Sequence, residues 1–236
     1  MITHDANGLA ALSKPAGVLA HPNERGDEPR SLLNARYIEA GEFFEWEALE
    51  RPGNVQRLWL LNRLDSATSG VILAASSEKL AEEIRAHFKR KQVHKIYQAL
   101  VFGRPRSTSE AWVDRLAVEK RGGQIRTAAK AGHVPAESQM TIVRKGAQEP
   151  VLTMIRLEPK TGRSHQLRVQ CAKRHLPIVG DQTYGDFARN RAFAKATRVK
   201  RLFLHSMTTR FEYEWKGGRH LFAATAPLPE EFEKFL

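Results

Sequence analysis

Apolar residues alternate with polar ones in several stretches of this chain and recur every three to four residues in a few others. GLAALSKP (8–15) predicts a short strand running into a Pro-Gly turn and an irregular loop, AHPNERGDEP. PRSLLNARYIEAG (29–41) reads as a helix, opened by Pro29 and closed by Gly41. VQRLWLL and VILAAS are apolar runs of strand length, so LNRLDSATSG (61–70), lying between them, is a strand-to-strand loop. Ser76 or Ser77 is placed to cap a helix with Leu80, Ile84 and Phe88 at four-residue spacing, and basic residues crowd its end.

HKIYQALVFG predicts a strand in which Tyr97, Ala99 and Val101 share one face. TMIRLEPKTGR predicts another, leaving through a Pro and a Gly. SHQLRVQCAKRH then reads as a helix with Ser164 as N-cap and Pro177 beyond its end. LFLHSMTTRFEYEW and RHLFAATAP flank a Gly-Gly turn and predict a hairpin. Strands outnumber helices without a regular βαβ alternation. The expected fold class is therefore α+β, one domain over residues 1–236 on a mixed, mostly antiparallel sheet with flanking helices and an active-site cleft.

Composition narrows the partner more than the fold. Of 236 residues 42% are hydrophobic, enough to bury a sizeable core. Thirty-eight Lys and Arg against 26 Asp and Glu give a net charge of +12, the electrostatic footprint of a nucleic-acid partner. The single cysteine, Cys171, excludes an intramolecular disulfide and any Cys-rich zinc site. The first residues lack the apolar stretch of a signal peptide, and no segment has the length of a membrane span. A soluble, cytoplasmic monomer is the expectation.

Known catalytic motifs exclude more than they suggest. There is no nucleophile elbow, phosphate-binding loop or dinucleotide fingerprint, and the nine histidines show no metal-ligand spacing. SSEK at 76–79 and KTG at 160–162 match two elements of a serine β-lactamase or penicillin-binding enzyme, but the third is missing and Ser76 sits where a helix cap is needed. Taken alone, Asp65 in the small-residue loop reads as a turn aspartate bonding its own backbone.

Five ordered motifs change that reading: KPAG at 14–17, RLDSATSG at 63–70, HKIYQALVFG at 94–103, KTGRSHQLRV at 160–169 and PIVGDQTYG at 177–185. Together they resemble the RNA pseudouridine synthases of the RluA type. The resemblance implies a cofactor-free isomerase that detaches uracil from its ribose in RNA, turns it and rejoins it through carbon. It makes Asp65 the catalytic aspartate, Arg63 a holder of the flipped nucleotide, Tyr97 the aromatic lying against the base, and Arg168 the partner of the catalytic carboxylate. Lys160, Arg163 and His165 join Arg63 as substrate-binding candidates. Two positions depart from the family pattern: Asn62 stands where a histidine is usual, and Ser164 where a threonine is. The amino-terminal S4-type RNA-binding module that many relatives carry is not expected in this chain.

The chemistry suits these residue types. One carboxylate is enough to attack the sugar or take a proton, whereas a glycosidase needs two. A buried arginine keeps that carboxylate ionised. The stacked uridine must be extruded, and a planar side chain such as Tyr97 then holds it. The basic runs FKRKQVHK, KRGGQIR and RNRAFAKATRVKR are candidates for gripping structured rRNA or tRNA, with Phe88, Phe187 and Phe193 serving either stacking or packing. The rival reading is a basic RNA chaperone on the same fold. Retention of Asp65, Tyr97 and Arg168 together favours the enzyme, because binding alone requires no nucleophile.

Overall fold

The structure, a computed structural model, describes residues 1–48, 53–121 and 124–236, with the backbone alone described in 118–121 and 124–131. The chain forms two compact units, residues 1–93 with 208–226, and residues 94–207 with 227–236. In chain order the first unit contributes β1 (Thr3–His4), β2 (Leu9–Lys14), β3 (Arg36–Ile38), β4 (Phe43–Glu47), β5 (Val55–Leu60), β6 (Ser69–Ala75) and helix α1 (Glu78–Lys89). Then come β7 (His94–Phe102), β8 (Ser109–Arg121), β9 (Gln124–Ala131), β10 (Val134–Lys145), β11 (Leu152–Pro159), α2 (Gln166–Lys173) and α3 (Phe187–Thr197). β12 (Leu204–Trp215), β13 (Gly218–Thr225) and α4 (Glu231–Lys234) complete the chain. No described helix is long and apolar enough to cross a membrane.

The first unit is built around β6, every residue of which is buried. Its two faces serve two clusters, as strand alternation requires. Val71, Leu73 and Ala75 pack with Leu9, Trp59, Leu80, Ile84, Phe211 and Phe222. Ala74 packs on the other side with Phe44 and Leu60. β2 pairs antiparallel with β6 from Leu9↔Ala75 to Lys14↔Gly70, which puts the KPAG turn at the same end as the Asp65 loop. α1 follows the expected spacing, with Leu80 and Ile84 wholly buried. β12 and β13 form the expected hairpin, turning through Lys216 and Gly217, both at positive φ.

The helix expected over 29–41 is not formed. Pro29 lies in a single 3₁₀ turn, Glu28–Arg30, and the chain then extends as β3. The reason is tertiary: Leu32, Leu33, Ala35 and Tyr37 pack against the Phe44, Leu60 and Ala74 cluster, and Tyr37 registers opposite Phe44 across β3 and β4. Strand pairing and burial of those side chains outweigh the local helical spacing.

In the second unit β7, β11, β10, β8 and β9 are neighbours in that order, with antiparallel pairing throughout. Trp112, Leu116, Ala136, Met140, Ile155 and Leu157 are buried. A second apolar group joins Phe193 of α3 to Phe102, Phe203 and Phe235, with ring centroids 5.0 to 6.3 Å apart. Phe193 is therefore a packing residue, whereas Phe187 is exposed. The run KRGGQIR (120–126) falls outside the residues whose side chains are described.

Candidate active site

Asp65 lies in the loop between β5 and β6, and the chain around it is tied down residue by residue. Leu61 N–H donates to Leu73 C=O at 2.9 Å, and Asn62 Oδ1 accepts from Leu73 N–H at 2.7 Å. Asn62, the departure from the family pattern, thus has a backbone-pinning role that its short amide serves directly. The turn itself closes main chain to main chain, Thr68 N–H to Asp65 C=O at 3.0 Å.

The stronger tie comes from KPAG. Lys14 is fully buried, and its ammonium donates to the carbonyls of Pro15 at 2.9 Å, Val18 at 2.7 Å and Ser66 at 2.9 Å. Ser66 C=O also accepts from Gly17 N–H at 2.8 Å, in a turn where Gly17 has φ +87°. All three N–H groups of the lysine are satisfied, and one of them grips the residue next to Asp65. Burial lowers the Lys14 pKa to about 8, against which the Asp65 charge pulls it back up. Arg63 is exposed, and its Nη1 lies 3.5 Å from His21 Nε2. The His21 ring stacks on Tyr37 at 4.6 Å.

In the second unit, Tyr97 stands on β7 opposite Leu157 of β11 and is partly buried. The KTGRSHQ segment leads from β11 into α2. Lys160 and Arg163 are exposed on it, with Lys160 N–H bonded to Glu137 C=O and Arg163 Nε to Pro135 C=O. The helix starts later than expected: its N-cap is His165, at φ 54°, not Ser164. Gln166, the first helical residue, reaches back to the turn before it. Its Oε1 accepts from the Thr161 hydroxyl at 2.7 Å and from Arg163 N–H at 3.1 Å, and its Nε2 donates to Glu137 C=O at 3.1 Å. A buried amide thereby ties down the turn that leads into the helix.

Arg168 sits in the first turn of α2 with 6% of its surface exposed. Its Nε donates to Asp181 Oδ2 at 2.9 Å and its Nη2 to Asp181 Oδ1 at 2.7 Å. This bidentate pair takes two of the five guanidinium N–H groups. Asp181 Oδ1 also accepts from Thr183 N–H at 2.8 Å and Tyr184 N–H at 3.0 Å. Burial alone would raise the Asp181 pKa; the bonds and charge of Arg168 and these two N–H groups hold it below the ordinary carboxylate value. Tyr184 lies under the Arg168 guanidinium at 5.3 Å, and its hydroxyl is 3.0 Å from His165 Nδ1.

PIVGDQTYG is shaped for this task. A Cβ at Gly180 would lie 1.7 Å from Arg201 O, and one at Gly185 would lie 2.3 Å from Asp181 O. Asn190 of α3 braces the segment, accepting from Gly180 N–H and donating to Asp181 C=O. Of the expected site residues, Arg63 and Asp65 share one loop of the first unit, while Tyr97, Lys160, Arg163, His165 and Arg168 belong to the second.

Sequence reasoning missed Lys14, Asp181, Gln166 and Tyr184 as supporting residues. Each lies inside one of the quoted motifs, which was the available signal. Among the described residues no group of three His, Cys, Asp or Glu is arranged to hold a metal ion.

A family model described as RNA pseudouridylate synthase matches residues 8–173. The chain belongs to that family. This pseudouridine synthase is 31% identical over 222 residues to the tRNA pseudouridine synthase C of Vibrio cholerae, covering 91% of this chain and 86% of that protein. It is 29% identical over 234 residues to the ribosomal large subunit pseudouridine synthase C of Vibrio vulnificus, covering 99% and 67%. Among solved structures, human RNA pseudouridylate synthase domain containing 1 shares the fold, with a TM-score of 0.70 at 21% identity over 96% of this chain and 82% of that one. The synthase is an isomerase acting on uridine in RNA, on the α+β fold expected from its strand pattern.

Proposed function

We propose that Asp65 supplies the carboxylate for isomerisation of a uridine in structured tRNA or ribosomal RNA. The observation that carries this reading is the loop holding Asp65, gripped through Ser66 C=O by the buried Lys14 ammonium and by Gly17 N–H. Such fixing of the backbone suits a group that must meet a reacting atom without reorganising. In the reaction the N1–C1′ bond breaks, a C5–C1′ bond forms, the C5 proton leaves and N1 ends protonated. Asp65 attacks the sugar or takes a proton, Tyr97 lies against the base, and Arg168 stabilises the carboxylate in its ionised form. Asp181, by taking two N–H groups of Arg168, orients the guanidinium for that task. Arg63, Lys160, Arg163 and His165 hold the RNA.

The tRNA and large-subunit RNA targets come from the names of the relatives. The enzyme is read as a cytoplasmic monomer that needs neither metal nor cofactor. Pseudouridine mapping in total RNA from cells with and without this gene tests the reading. A uridine modified only when the gene is present supports it, and an unchanged map contradicts it. Activity surviving a chelator supports the absence of a metal requirement.

A further inference from the structure

The basic run FKRKQVHK does not behave as one patch. Lys89, Arg90 and Lys91 are exposed at the end of α1, and Arg90 is engaged by Glu83 and Gln92. His94, the first residue of β7, pairs with Glu158 at 2.7 Å. Lys95 differs from all of these. It is partly buried, and among the described residues its ammonium has no hydrogen-bond or ion-pair partner. Burial lowers its pKa, and no neighbouring charge contributes to the shift.

The position of Lys95 gives that ammonium a use. Lys95 and Tyr97 are two apart on β7, so their side chains leave the same face. The Lys95 Nζ lies 3.6 Å from where a Cβ at Gly162 would be, beside the segment that carries Lys160 and Arg163. Glu158, the acid at this end of β11, is held by His94 and Arg156. It follows Leu157, the register partner of Tyr97, and so leaves the opposite face. Lys95 Nζ is not among the buried unpartnered atoms, so this partly buried ammonium still reaches solvent and is open to an anion from outside. Lys14, by contrast, shows how this fold satisfies an ammonium when the role is structural.

We infer that Lys95 is a ligand for an RNA phosphate next to the uridine that Tyr97 faces. The inference rests on the proposed role of Tyr97. A phosphodiester oxygen supplies the anion that the protein side leaves out, and the exchange of counterions for Lys95 contributes to the salt dependence of RNA binding.

The test compares Lys95→Met and Lys95→Arg with the parent, using total RNA from cells lacking the gene and following pseudouridine formation across a KCl series. Lys95→Met should raise the half-saturating RNA concentration roughly tenfold, as loss of a charge-assisted bond predicts. It should lower the log–log salt slope by about 1, and Lys95→Arg should keep both near the parent. The melting temperature of Lys95→Met should equal or exceed the parent's. Parental saturation and slope in Lys95→Met would overturn the inference, marking a stem that packs with its head in water. Loss of turnover with an unchanged slope would also overturn it, as would a lowered melting temperature. Asp65→Asn serves as the control: if it is inactive while Lys95→Met behaves as the parent, this inference falls and the catalytic reading stands.

Discussion

Two buried cations, one in each unit, are held in opposite ways. Lys14 is held by three neutral carbonyls and fixes a backbone, that of the Asp65 loop. Arg168 is held by a buried carboxylate, Asp181, and is itself the group being fixed. The first arrangement leaves a titratable charge with a depressed pKa of about 8. The second keeps a permanent charge, because a guanidinium does not lose its proton in proteins. A residue that fixes a backbone can rely on donor count alone, whereas a buried group that stays charged at every working pH needs a counter-ion of its own.

Breaking the second arrangement should have the larger effect on stability. Asp181→Ala takes the bidentate partner away from a buried guanidinium and should cost about 3–5 kcal/mol, the usual consequence of removing one member of a buried pair. Denaturant unfolding measures it; a loss below about 1 kcal/mol would mean that the pair is not held as described. Lys14→Met keeps the volume but takes the ammonium from the Pro15, Val18 and Ser66 carbonyls, of which Ser66 keeps its bond from Gly17 N–H, and should cost about 1–3 kcal/mol.

The pH dependence sharpens the same contrast. The folded-state pKa of Lys14 lies below that of the unfolded chain, so between pH about 8 and 10 the unfolded chain binds a proton that the folded chain has released. Stability of the parent should therefore rise over that window relative to Lys14→Met. Melting curves of the two proteins at several pH values test this, and a gap moving the other way would contradict it.

Much of the candidate site was legible because the residues proposed for it stand in motifs with fixed spacing: Asp65 between two apolar strands, Tyr97 on a strand, Arg168 early in a helix. The supporting groups were not. Lysine is rarely fully buried, so Lys14 gave no local sign that its ammonium points inward. Asp181 depends on a pairing 13 positions away from Arg168 that only the folded turn brings about. The helix expected over 29–41 failed for a related reason, since the Tyr37 and Phe44 pairing that extends the chain is a tertiary contact. β8 and β10 escaped notice although Trp112 and Leu116, and Ala136 and Met140, keep strand parity, because the outward positions between them mix exposed Val113 with Arg115, and Glu137 with Gln139, which blurs the alternation.

The central claim is that Asp65 provides the reacting carboxylate. Asp65→Asn preserves the size of the side chain and removes its charge. Pseudouridine formation in RNA from cells lacking the gene should fall by roughly a thousandfold or more, while RNA affinity and melting temperature stay near the parent's. Isomerisation by Asp65→Asn at the parental rate would contradict the account.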